Sequence, residues 1–276
     1  MSHIHIPDGV LPVWLWASGW LVALALVWLA SAVARRADVR RKVPILGVVS
    51  ALVLVSMSSE IVPIAYHVNL TVVAGVFLGP WLSIISAFIV VVMLALLGHG
   101  GVTVIGLNTL MIAGEMVLGW VLFRGLARLL GRQRVRWSAA LATVLALAVT
   151  TTALVGIVAL AGGGAAASRE SGALDPSTLR FTNPLAAGVF SVNTLRGEAA
   201  QGGVPRSTET PAPSPGLSVA RFAAIVYTLG PLGWLVEALV TAAVLGYVAR
   251  VRPGLVFAGA IRSRGRSLAG HEGPVS

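Results

Sequence analysis

The sequence predicts an all-α integral membrane protein with about seven transmembrane helices, its amino terminus outside and its carboxyl terminus in the cytoplasm. Three observations predict it. Of 276 residues, 57% are hydrophobic and only 11% charged, whereas an average soluble domain is about 25% charged. The apolar residues fall in long runs, most of them near the ~20 residues a helix needs to cross a bilayer. The basic residues collect in short segments between those runs. The net charge of +10 alone would suit nucleic acid, but few polar residues surround the arginines, so topology explains them better and no nucleic-acid partner is expected. The chain contains no cysteine, which excludes disulfides, thiolate metal sites and cysteine nucleophiles.

The apolar runs predict spans at 11–34, 43–62, 68–80, 81–98, 102–123, 137–161 and 219–249. The third is too short to cross upright and ends at Gly79-Pro80, which suits a bent or re-entrant segment packed within protein. Segment 1–10 precedes the spans, and 11–161 holds the first six. Stretch 162–218 opens on Gly162-Gly163-Gly164 and includes Pro211-Ala212-Pro213-Ser214-Pro215, so an external loop with much disorder is expected there. The last span occupies 219–252 and a cytoplasmic tail 253–276. No cleavable signal peptide is expected. The start lacks Lys and Arg, and its apolar run exceeds the ~7–15 residues of a signal core.

Basic residues set the orientation. Segment 35–42 carries five, segment 124–136 carries Arg124, Arg128, Arg132, Arg134 and Arg136, and the tail carries Arg250, Arg252, Arg262, Arg264 and Arg266. With seven spans these fifteen of twenty share one side, cytoplasmic by the positive-inside rule. An even number of spans would divide them between the two faces.

This orientation puts His3, His5, His67 and His99 outside and only His271 inside. Imidazoles are ligands for divalent transition metals, although histidines also occur at membrane interfaces without any such role. The opening Met1-Ser2-His3-Ile4-His5-Ile6-Pro7-Asp8-Gly9 adds a terminal amine. Amine, amide nitrogen and imidazole of a second-position histidine form a chelate that favours square-planar Ni²⁺ or Cu²⁺. Removal of Met1 before the small Ser2 would put His3 second. Pro7 restricts Ile6 to an extended form, and Asp8-Gly9 suits a turn into the first span.

Asn108, near the outer end of span five, could orient a ligand by hydrogen bond or join two helices. Glu60, at the outer end of span two, could attract a cation or be a solvated terminus. Glu115 and Glu237 lie within spans, where ionisable groups are costly. Both are expected to pair between helices or with another subunit, away from the outer site. Gly106, Ala113, Gly114, Gly119 and Gly125 permit close packing of span five, inside the chain or against a partner.

These residues resemble the CbiM/NikM family, the substrate-specific membrane components of energy-coupling factor transporters for cobalt and nickel. His5-Ile6-Pro7-Asp8-Gly9 with Leu11-Pro12 and Trp14 resembles the family's opening, and Val43-Pro44-Ile45-Leu46-Gly47 the start of its second helix. His67 through Gly79-Pro80-Trp81 is similar to its histidine segment. Gly98-His99-Gly100-Gly101-Val102-Thr103 with Gly106-Leu107-Asn108 resembles its glycine-rich turn and Asn-bearing helix. Gly233, Glu237-Ala238-Leu239-Val240-Thr241 and Arg250-Val251-Arg252-Pro253 are similar to its last helix. The resemblance spans most of the chain except 162–218 and the tail.

It implies Ni²⁺ or Co²⁺ as transported substrate, held by N-terminal nitrogens and His67. The metal ligands expected are His3, His5 and His67, with Ser2, His99, Asn108 and Glu60 as further contributors. The family's opening histidine is residue two, whereas three residues precede Ile4 here. Either His3 takes that place or His5 binds without the amine. Pro63-Ile64-Ala65-Tyr66 replaces the usual Gly-Thr-Ser-Gly, and His99 stands where an acid is common. The chain has no Gly-x-x-x-x-Gly-Lys-Ser/Thr loop, so ATP hydrolysis must come from elsewhere. The resemblance implies a transmembrane coupling subunit, a pair of ATP-binding subunits and a small accessory membrane subunit.

Three other functions compete. A component of the same architecture for an organic vitamin would need an aromatic, hydrogen-bonding pocket and no His67. A membrane metalloenzyme would need a His-Glu-x-x-His or comparable constellation, which the sequence lacks. A passive channel would need rings of charge or carbonyls, for which there is no repeat.

Overall fold

The computed structural model describes residues 11–36, 43–58, 69–97, 101–170 and 219–257. Among them the fold is all-helical. In order come α1 (Val13–Arg36), α2 (Val43–Ser58), α3 (Thr71–Leu96), α4 (Ile105–Leu130), a 3-10 turn (Arg132–Arg134), α5 (Val135–Glu170), α6 (Val219–Val251) and α7 (Pro253–Val256). Five of these helices, α1, α3, α4, α5 and α6, are long and apolar enough to cross a membrane, while α2 has 16 residues. The protein is multi-pass, as its composition predicts.

Helix α4 is the centre. It packs against α1, α3 and α5, and α5 pairs with α6. The α1–α4 crossing is close because two glycines meet there: a methyl at Gly106 would come 2.6 Å from the Gly19 carbonyl carbon. Gly119 likewise faces Val72, whereas Gly114 and Gly125 have nothing within 4 Å. The small residues of this helix therefore divide between internal packing and an open outer face.

The short third segment and the fourth form one element, α3, broken at Gly79. There φ is 74° and ψ 177°, and Pro80 follows. Glycine alone adopts this backbone without strain, and proline removes the amide that would continue the ladder. The contacts give the path. Thr71 bonds Glu115, and Gly79 lies beside the Trp120 indole nitrogen, so the first part advances in the same direction as α4. Only residues 97–104 then connect to Ile105, so the second part returns to the start of α4. Counting α2 and the two parts of α3 separately, the described helices make seven passes, which preserves the orientation predicted from the arginines.

Both ends of the bundle follow from this path. Leu11 and Leu15 pack with Val104, Leu107 and Leu154, so the chain enters beside the first turn of α4. Arg124, Arg128 and Arg132 mark the opposite end. Two boundaries differ from those expected. Helix α5 runs through Glu170, past the glycines at which the sequence predicts a loop, because Ala165-Ala166-Ala167 favours helix. The tail folds back at once as α7, where Val256 joins Phe123, Ala127 and Leu245. The rest of the expected loop and tail lies outside the described residues.

Candidate metal-binding site

Of the expected site residues, Ser2, His3, His5, Glu60, His67 and His99 lie outside the described residues. Asn108 lies within them, in the first turn of α4, 5% exposed. Among the described residues no group of three His, Asp or Glu side chains comes together. What the structure describes is the set of roots from which the expected ligands grow, and the polar machinery between them.

Asn69 is the root of the His67 segment, two residues on. Its Oδ1 accepts from the Thr71 amide at 3.0 Å. This local bond occupies a donor that the first turn of α3 would leave open. The Asn69 Nδ2 donates to Glu115 Oε1 at 2.6 Å, and the Thr71 hydroxyl donates to the same oxygen. From α5, the Thr150 hydroxyl faces Glu115 Oε2 at 3.4 Å while donating to the Ala146 carbonyl at 3.0 Å. Glu115 itself is fully buried. A carboxyl group in a membrane interior is costly unless hydrogen-bonded, and here three side chains from two other parts of the chain converge on it. The result is a brace joining α3, α4 and α5.

Glu115 does pair between helices, as expected, and its partner Asn69 stands just before the start of α3, deep in the bundle. The reason is the incomplete pass: the first part of α3 starts inside the bundle, about 15 Å along α4 from Ile105, and so carries Asn69 down to Glu115. Asn108 and Glu115 are seven residues apart on α4, hence on one face about 10 Å apart. Sequence reasoning missed Asn69, Thr71 and Thr150. The available signal was an asparagine two residues before a threonine at a helix start, together with an ionisable residue inside a span.

The start of α4 is tied to α1 as well. Trp20 Nε1 donates to the Thr103 carbonyl at 2.7 Å, next to the glycine-rich turn. Leu11 is buried against the same region. The start of α1 and the start of the helix bearing Asn108 thus share one end of the bundle. A second buried acid, Glu237 of α6, lies one turn from Thr241, whose hydroxyl finds no hydrogen-bond partner among the described residues.

Comparison with known proteins agrees with this architecture. Residues 5–255 match the family model for CbiM, the cobalt uptake substrate-specific transmembrane region. A protein of Halobacterium salinarum described as a cobalt transport protein, CbiM, is 31% identical over 202 residues, 70% of this chain and 86% of that one. Two crystal structures share the fold at 18% identity. One, of a truncated transition metal transporter, has a TM-score of 0.59 over 90% of this chain and 99% of its own. The other, of a transition metal transporter, scores 0.57 over 90% and 93%. The match over nearly the whole membrane region establishes that this chain belongs to the CbiM family, as a substrate-specific transmembrane component of metal uptake.

Proposed function

We propose that the chain captures Co²⁺ or Ni²⁺ from outside with its N-terminal nitrogens and the imidazole of His67, and imports it when driven by separate subunits. The observation that carries this reading is the Asn69–Glu115–Thr71 brace. Two peptide units separate His67 from Asn69, a reach of about 7 Å between Cα atoms. Whatever fixes Asn69 therefore limits where His67 can stand. The ten residues before Leu11 have a reach of about 33 Å, ample to cover the about 15 Å between the start of α4 and the brace.

In this reading either His3, after loss of Met1, or His5 supplies the N-terminal imidazole. Asn108 and His99 stand on the adjoining face, with Ser2 at the amine and Glu60 drawing the cation in. The Ile6-Pro7-Asp8-Gly9 strap leads into the first span, and the folded N-terminal segment closes the metal from water. Glu115 acts as a positioning residue through Asn69 and touches no metal. With no phosphate-binding loop in the chain, a coupling membrane subunit and an ATPase pair drive reorientation, with a small accessory membrane subunit completing the assembly.

Calorimetry of the purified full chain with Ni²⁺ and Co²⁺, against His67→Ala, tests the reading. Loss of a direct ligand is expected to weaken binding by more than the roughly 10–100-fold typical of an outer hydrogen-bonding partner. An unchanged affinity would favour an organic substrate.

A further inference from the structure

The arginines at the cytoplasmic end do more than set orientation. Arg124, Arg128 and Arg132 recur every fourth residue, and together they line one cavity of about 340 Å³. Phe123, Ala127 and Gly131 complete the α4 side, and Val256 and Phe257 the α7 side. None of these lining residues is acidic. Like charges four apart on a helix repel, and an ordinary solvated face would intersperse acids. Here three guanidinium groups surround a shared space, and among the described residues none of the cavity's lining side chains is a carboxylate.

Two of the three are held in place. The Arg124 guanidinium lies 4.7 Å from the centre of the Trp120 ring, and that of Arg132 lies 4.9 Å from the centre of Phe257. A guanidinium stacked on an aromatic face keeps its in-plane N–H donors free. Those donors suit phosphate oxygens in bidentate geometry. The backbone is built for the enclosure too. Gly131 has φ 84°, which ends α4 sharply, and Val256 is buried against Phe123 and Ala127, which folds α7 over the opening.

The mixture of lining fits one kind of ligand. Three cations stand beside Phe123, Ala127, Val256 and Phe257 at the membrane boundary, where an anionic lipid presents phosphate next to acyl chains. The volume is in the range of small-ligand sites, and basic pockets between helices on the cytoplasmic side are a known form of headgroup site. We propose that the cavity lined by Arg124, Arg128 and Arg132 binds the phosphate headgroup of an anionic phospholipid of the cytoplasmic leaflet. The site clamps α7 to the end of α4 through the lipid, independently of the metal site at the other end.

Native mass spectrometry of the full chain released from detergent, with phosphatidylglycerol as the probe, tests the proposal. The wild type should retain one phosphatidylglycerol in preference to phosphatidylcholine. Arg128→Gln should weaken retention about fivefold, and the triple change of Arg124, Arg128 and Arg132 to Gln on the order of 100-fold. A control triple of Arg35, Arg134 and Arg250 to Gln, equal in charge but outside the cavity lining, should retain lipid like the wild type. Equal loss in both triples, or equal retention of phosphatidylcholine, would overturn the proposal in favour of diffuse attraction. Displacement of the lipid by an equimolar amount of inorganic phosphate would overturn it in favour of a free-anion site. The single variant keeps the test decisive if the triple fails to fold.

Discussion

Glu115 shows how one buried residue can join three parts of a fold. Its oxygens receive Asn69 and Thr71 from the start of α3, and Thr150 stands against it from α5. Leaving a buried donor without its acceptor costs about 1–3 kcal/mol. Asn69→Ala removes the bond to Glu115 and the bond to the Thr71 amide together. It is expected to lower metal affinity roughly 10–100-fold, measured by calorimetry, while Thr150→Val lowers thermal stability with little change in affinity. Equal losses of affinity in both variants would make the brace a general structural element instead of a positioning one. At this scale the sequence was partly legible. An acid within a span reads as important, and Glu115 was expected to join helices. Its partners were not readable, because the depth at which α3 begins is set by tertiary packing and leaves no local pattern.

The elements were more legible than their ends. Gly79-Pro80 marks a break in the sequence, and the segment before it is visibly too short to span. What could not be read is that both parts belong to one broken helix lying on α4. A methyl at Gly75 would come 2.0 Å from the Met116 carbonyl, a backbone contact that cannot move aside. Gly75→Ala should therefore lower the thermal stability of the purified protein strongly, by about 1–3 kcal/mol as overpacking typically does. Gly79→Ala forces a Cβ into a left-handed backbone and should cost about 1–3 kcal/mol. Gly114→Ala, where nothing stands within 4 Å, should leave the isolated chain unchanged. Unfolding midpoints in one detergent compare all three, and equal shifts would contradict the packing described. The continuation of α5 through Glu170 escaped the reading because three glycines outweigh three alanines in a loop pattern, although a helix already formed can run through them.

For the whole molecule, composition and the placement of arginines carry most of the information. Fifteen basic residues in three clusters fix which end faces the cytoplasm, and the described helices obey that assignment because the incomplete pass of α3 still reverses the chain. The polarity of function follows: family membership makes this a component of metal uptake, and the ends of the bundle differ in chemistry. One holds the start of α1 beside the first turn of α4, and the other gathers arginines around a cavity. The expected ligands themselves are short-range features of segments 1–10 and 59–68, where a few polar residues stand outside the helical periodicity that makes the rest of the chain readable. The most direct test of the account is uptake of radiolabelled Co²⁺ and Ni²⁺ by cells carrying the chain with its partner subunits, before and after removal of residues 1–5. Uptake is expected to fall to the level of cells lacking the chain while the protein still accumulates in the membrane, whereas unchanged uptake would contradict capture by the N-terminal nitrogens.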